Sequence, residues 1–215
     1  MKILIGVPLA GTISDAAFLS LWQIAQRGYP IVQRGYARTD IHRNEFVRAL
    51  LASDYTHLCY LDADHVHPPD VVERLAGWAE ADEQRFRVVS GLNFRRGPPY
   101  DPMAFMRSAD GLYHSIAEWP AGLFRVDVVG AGTLLVHRSV FEELAWPWWA
   151  YEYDDGHYPT EDIFFCNKCR EHGIDIWVDG TLTSPHLILD AVDGDIFKAW
   201  LEANPDKIMP QEVTL

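Results

Sequence analysis

The stretch Leu58-Cys59-Tyr60-Leu61-Asp62-Ala63-Asp64 decides how the rest of the chain is read. A short apolar run that ends at once in two acids predicts a buried strand over 55–62 delivering its last residues to a sheet edge. In open α/β sheets, ligands bind outside the carboxyl ends of the strands. Residues two apart in extended chain point to the same side, so Asp62 and Asp64 can address one ligand. Hard divalent cations such as Mg²⁺ and Mn²⁺ take oxygen ligands and bridge one or two carboxylates to phosphates. An isolated D-x-D is also a common exposed turn or helix cap, so its surroundings have to choose.

Upstream, 2–9 is a short apolar run closed by Pro8, which predicts a first buried strand. Ser14 or Asp15 caps a helix carrying Phe18, Leu21, Trp22 and Ala25. A strand over 31–36 follows, then a helix capped by Asp40 with Ile41, Phe46, Val47, Leu50 and Leu51 on its apolar side. Downstream, Pro68-Pro69-Asp70 opens a helix with Val71, Val72, Leu75 and Trp78, proline taking an early position. A strand over 87–92 completes a βαβ series and predicts a mainly parallel sheet flanked by helices.

Beyond residue 95 the pattern changes. Loop chemistry at 97–102 precedes strands over 124–129 and 132–136, with mixed pairing expected. Ser139 caps a short helix over 140–144, and Trp146-Pro147-Trp148-Trp149 leads into an acidic loop over 150–158. Thr160 begins a helix, 174–178 is a strand, and Ser184-Pro185-His186 follows another. We expect one catalytic domain over 1–189, with 1–95 as its nucleotide-binding half and 96–189 as its acceptor half. A tail over 190–215 carries one helix at 195–203.

A net charge of −13 argues against a protein that coats nucleic acid, although Arg clusters at 34–48 and 85–96 leave room for a local basic pocket. No run reaches the ~18–20 apolar residues of a membrane helix, and the N-terminus suits a strand better than a secretory signal, so a cytoplasmic location is expected. Cys59, Cys166 and Cys169 make no disulfide framework. Cys166 and Cys169 form a single C-x-x-C without a second pair, which predicts buried reduced thiols over a zinc site.

Several short pieces line up in one order: Val7-Pro8-Leu9, Arg43-Asn44, Tyr60 to Asp64 with Pro68-Pro69, and Val129-Gly130-Ala131-Gly132 through Arg138. Trp146-Pro147-Trp148-Trp149, Thr160-Glu161-Asp162 and His186 complete the series. This ordered set resembles the GT-A glycosyltransferases, especially family-2-like enzymes, over residues 1–187. The resemblance implies a GT-A (Rossmann-like) fold and transfer of a sugar from a nucleotide-sugar donor, UDP-linked in the first instance, with inversion. It implies Asp62, Asp64 and His186 as ligands of Mn²⁺ or Mg²⁺, with His65 and His67 as rival ligands. Asp162 would be the general base and Glu161 would assist it.

In the same terms, Pro8, Leu9, Ala63, Gly130 and Gly132 would contact the donor. Arg43 would meet the diphosphate or pair on a helix surface. Asp40 is a candidate for the acid that contacts uracil. Trp146, Trp148 and Trp149 would stack on an acceptor, be it a saccharide, a carrier or a modified nucleobase. The chain ends soon after His186, so no large acceptor domain is expected. Taken singly, each residue also has a structural role open to it: Glu161 and Asp162 as first-turn acids, His186 at a strand end, any one tryptophan in the core. A helix N-terminus would hold the Asp162 pKa down. Two alternatives stay open: a nucleotidyltransferase acting on a sugar-phosphate, and a non-catalytic carbohydrate-binding module on the same fold. The first normally has a basic, glycine-rich loop after strand one, and Leu9-Ala10-Gly11-Thr12 has no Lys or Arg.

Overall fold

A computed structural model describes residues 1–9, 11–35, 37–97, 99–152 and 159–188. The helix expected at 195–203, and the acidic loop from residue 153 to 158, lie outside the described residues. The elements run β1 (Ile3–Leu9), α1 (Asp15–Ala25), β2 (Ile31–Gly35), α2 (Thr39–Leu51), β3 (His57–Leu61), α3 (Val71–Ala81) and β4 (Val88–Leu92). There follow β5 (Ala104–Arg107), β6 (Tyr113–Ser115), β7 (Leu123–Val126), β8 (Val128–Val129), β9 (Thr133–His137), α4 (Arg138–Glu143), α5 (Glu161–Glu171) and β10 (Ile176–Thr183).

Seven strands form one sheet in the order β2-β1-β3-β9-β4-β10-β7, and β6-β5-β8 form a small second sheet. The large sheet is mixed: β2, β1, β3, β4 and β10 share one direction, while β9 and β7 run against it. This is the mixed, mainly parallel arrangement that the βαβ series predicts. Strands β3 and β4 are buried at every position, which is why they read as unbroken apolar runs rather than alternating ones.

Each face of the sheet has its own core. Ile5, Val7 and Leu135 pack with Leu21, Ile24, Val71 and Leu75 under α1 and α3. Leu58, Tyr60 and Leu134 pack with Phe46, Leu50, Phe141, Phe165 and Trp149 on the other side. Helix α2 sits so close to β1 that a Cβ at Gly6 would stand 2.6 Å from the Phe46 ring, so glycine is required there. Among the described residues no helix is long and apolar enough to cross a membrane.

Several expected boundaries shift. Helix α2 is capped by Arg38 and takes Asp40 into its first turn. Helix α3 begins at Val71 with Asp70 at its cap, leaving Pro68 and Pro69 outside. His137, not Ser139, caps α4: its ring accepts from the Ser139 amide. The strand expected over 124–129 is two strands in different sheets, divided at Asp127. β10 continues past 178 to Thr183, with an irregularity between Asp179 and Thr183. The hairpin β5–β6 has no counterpart among the expected elements, since four- and three-residue strands are too short to show alternation.

Candidate active site

The carboxyl ends of β1, β3, β4 and β10 meet at one edge of the sheet, together with the start of the antiparallel β9. Two adjoining clefts open there. One, of ≈190 Å³, is lined by Asp62, His65, Asn93, Gly132, Asp162 and His186 among others. The other, of ≈410 Å³, is lined by Pro8, Leu9, Thr39, Asp62, Ala63 and Asp64, with Arg96 at the border of both. The smaller suits a single ring; the larger has room for more.

The segment after β3 is fastened to the segment after β10 by backbone pairing. Val66 N–H donates to Pro185 O (2.9 Å), and Leu187 N–H donates to Asp64 O (2.8 Å). His65 and His186 face each other across this bridge, their rings stacked at 4.1 Å. Asp64 lies between them, with Oδ1 2.9 Å from His65 Nδ1 and Oδ2 3.1 Å from His186 Nε2. Burial alone would raise the Asp64 carboxyl pKa; the hydrogen bonds from His186 and His65 outweigh it and hold the carboxyl well below the ordinary range.

Asp64, His65 and His186 can therefore converge on one cation, with one ligand atom from each within 4.8 Å of the others. His186 Nδ1–H donates to Phe94 O (3.0 Å), and Nε2 stands 3.1 Å from Asp64 Oδ2, so either a proton on Nε2 or a cation lies between them. Arg96 supplies a cation, donating Nε–H to His186 Nε2 (3.1 Å) and Nη2–H to Asp64 Oδ2.

Asp62, expected beside Asp64 as a ligand, lies outside this group. Both its oxygens take Arg43 Nη2, at 3.1 and 3.2 Å. His65 takes the place expected for it. His67 is buried and fully engaged, with Nδ1 3.0 Å from Ser184 Oγ and Nε2 3.0 Å from Asp62 O; burial drives its pKa down to about 4. It is a structural histidine.

Arg43 lines neither cleft and does not lie on a helix surface. It is 1% exposed and reaches Asp62, Glu161 Oε1 (3.4 Å) and Ala131 O (3.3 Å), with Asp162 Oδ1 at 4.0 Å. Its guanidinium lies over the Tyr60 and Trp149 rings. One cation thus faces three carboxylates. Burial and the neighbouring Glu161 charge push the Asp162 pKa up to about 8, against the pull of Arg43. The expected lowering by the helix N-terminus is overruled, because desolvation of a carboxylate costs more than a terminal dipole returns.

Asp162 Oδ1, His65 Nε2 and Asn93 Nδ2 are all buried without a hydrogen-bond partner, and all three residues line the smaller cleft. Unpaired buried polar atoms are costly, so their convergence makes this cleft a candidate binding place for a polar group. Asn93, Arg96 and Met103 had not been singled out for this site. Asn93 is the first residue after β4 and could have been found by the strand-end rule that found Asp62. Gly132 leaves the cleft open: a Cβ there would stand 3.0 Å from His65 Cε1 and 3.2 Å from Asn93 Nδ2. Gly132→Ala is expected to narrow the cleft, shift Tm by less than about 3 °C, and weaken ligand binding about tenfold or more. Isothermal titration beside a melting curve checks this.

The remaining expectations divide. Pro8, Leu9 and Ala63 line the larger cleft, but Asp40 does not; it is buried against Arg38, at 2.7 Å, and Thr39 lines the cleft instead. Trp148 and Trp149 are core residues rather than stacking surfaces. Trp148 Nε1–H donates to Phe141 O, Trp149 Nε1–H donates to the Tyr60 hydroxyl, and Trp149 stacks on Phe165 at 4.2 Å. Asn44 of α2 holds both backbones in place. Trp146 is 63% exposed but lines neither cleft. Cys166 and Cys169 are free and buried, as expected, and burial raises both thiols.

No protein-family model matches the chain, and no curated sequence is detectably similar. Solved structures are similar in fold. A197 from STIV superposes with a TM-score of 0.63 at 18% identity, over 88% of this chain and 87% of that one. GalNAc-T7, solved with UDP, GalNAc and Mn²⁺, gives 0.53 at 13% identity, over 85% of this chain but 37% of that one. A CMP:2-keto-3-deoxy-manno-octonic acid synthetase complexed with CTP gives 0.46 at 9% identity, below the level at which a shared fold is shown. At these identities the likeness establishes the GT-A type of fold for this chain and leaves its chemistry to the site.

Proposed function

We propose that the chain moves a sugar from a nucleotide-sugar to an acceptor hydroxyl, with inversion, using a divalent cation held by Asp64, His65 and His186. The observation that supports this most is the pair of clefts meeting at Asp62, one ring-sized with three unpaired polar atoms, the other larger and bordered by the metal-ligand group. Asp64 and the two imidazoles would hold the cation, and diphosphate oxygens would add the hard ligands that Mn²⁺ takes. Such a cation, when bound, neutralises the charge that develops on the departing diphosphate.

The chain's own residues carry the rest. The sugar ring occupies the smaller cleft, where His65 Nε2 and Asn93 Nδ2 can bond its hydroxyls and Gly132 gives it room. The nucleotide occupies the larger cleft beside Pro8, Leu9 and Thr39. Arg96, which bridges Asp64 and His186 at the border of the two clefts, would be free to meet the diphosphate if a cation were held by those two residues. Asp162 takes the acceptor proton on Oδ1, and a pKa near operating pH is the range in which a general base works best. Arg43 fixes Asp62, Glu161 and the Ala131 carbonyl relative to one another.

Incubating the purified chain with a panel of nucleotide-sugars and Mn²⁺ tests this reading. Metal-dependent release of nucleoside diphosphate is expected, water serving as acceptor where no other is present. Asp64→Ala and His186→Ala should each weaken Mn²⁺ binding about tenfold or more, read directly by titration. Release of pyrophosphate from a nucleoside triphosphate and a sugar-phosphate, with no nucleotide-sugar turnover, would overturn it in favour of nucleotidyl transfer. Carbohydrate binding with neither reaction would favour a binding module.

A further inference from the structure

At the opposite end of the sheet, roughly 16 Å away along the five residues of β3, His57, His137 and Glu83 come together. His57 opens β3 and His137 closes β9, directly opposite in the antiparallel register, with ring centroids 4.7 Å apart. Glu83, in the turn between α3 and β4, brings Oε1 to 3.4 Å from His137 Nε2. One ligand atom from each of the three lies within 4.8 Å of the others.

The hydrogen bonding fixes which atoms are available. Thr56 Oγ1 donates its proton to Lys2 O (3.1 Å) and so accepts from His57 Nδ1–H (2.9 Å). The His57 Nε2 lone pair is left without a partner on a side chain that is 1% exposed. A buried lone pair with no donor is a cost that a bound cation removes. Burial and the neighbouring His137 hold the His57 pKa down to about 3, so the ring is neutral and available. Without a metal, His137 Nδ1 accepts from the Ser139 amide (3.1 Å) and the ring proton sits on Nε2 toward Glu83; a cation at Nε2 would move that proton to Nδ1, where Ser139 Oγ at 2.7 Å can accept it.

We propose that His57, Glu83 and His137 form a second divalent-metal site, suited to Zn²⁺, that pins the start of β3, the α3–β4 turn and the start of α4 to one another. Two imidazoles and a carboxylate are an established zinc donor set, with Thr56 and Ser139 as the groups that orient the rings. The site shares no residue with the clefts, so its role is to stabilise the sheet rather than to take part in transfer.

Zinc titration of the metal-stripped chain tests it in an Asp64→Ala background, which disables the group at the other edge. One equivalent of Zn²⁺ is expected to bind, and a hundredfold excess over Kd should raise Tm by about 5–10 °C. Adding Glu83→Gln, at a side chain 58% exposed and so harmless to folding, should weaken binding about tenfold or more and abolish the Tm rise. His137→Gln should do the same. An Asp64→Ala chain that takes up no zinc overturns the proposal, as does unchanged affinity in both added variants. Zinc binding here, together with no nucleotide-sugar turnover by the wild-type chain with Mn²⁺, would leave this site standing and remove only the transferase reading.

Discussion

Asp162→Asn is expected to abolish transfer while making the protein more stable. As general base, Asp162 should be worth about 10²–10⁴ in rate. Its pKa in the fold, about 8, stands above the ordinary carboxylate value of 3.8. Folding therefore favours the protonated form, and the stability that this gives below pH 4 is lost progressively as pH rises from 4 to 8. Asparagine keeps the shape without the proton to lose, and it leaves Arg43 paired with Asp62 and Glu161. The variant should melt on the order of 5 °C above the wild type at pH 8, with the difference vanishing near pH 4. Wild-type transfer should rise with pH and level off above 8. Melting curves and turnover rates across that range check both halves; a variant that melts no higher at pH 8 than at pH 4, relative to wild type, would refute the buried-acid account whatever the activity.

Arg43→Met is expected to produce the largest loss of stability of any single substitution at the site. It leaves Asp62, Glu161 and Asp162 facing one another with no cation, and breaking a buried pair costs about 3–5 kcal/mol. For a chain of 215 residues that is a fall in Tm of roughly 6–20 °C. The defect should shrink at acid pH, where the carboxyls left behind are neutral. Arg43→Lys should rescue only part of it, because an ammonium cannot reach Asp62, Glu161 and the Ala131 carbonyl at once as the planar guanidinium does. Chemical denaturation at pH 7 and pH 5 distinguishes this from a simple loss of packing, which would not depend on pH.

These two residues show where local sequence stops informing. Asp162 in the first turn of a helix reads as an acid with a lowered pKa, and nothing nearby in the chain contradicts that. Its actual environment comes from Arg43, more than a hundred residues earlier, and from the packing of α5 against β8. The tryptophans are similar. Trp146-Pro147-Trp148-Trp149 offers three rings in four residues, but Asn44 on α2 decides which of them turn inward. Among the histidines, 65 and 186 are brought together by a two-residue bridge between segments 121 positions apart, while His67 is claimed by Ser184.

The sequence by itself determined the mixed α/β sheet, its main strands, and Asp62 and Asp64 at a strand end. Those features rest on periodicity and adjacency, which a linear chain displays directly. Only the tertiary structure decided that Asp62 belongs to Arg43 and that Asp64 belongs with His65 and His186. The reason is geometric and electrostatic at once: both acids leave the same strand end, and what each carboxylate meets depends on which distant segment is folded against it. Arg43 from α2 reaches the first, and the turn after β10 closes on the second.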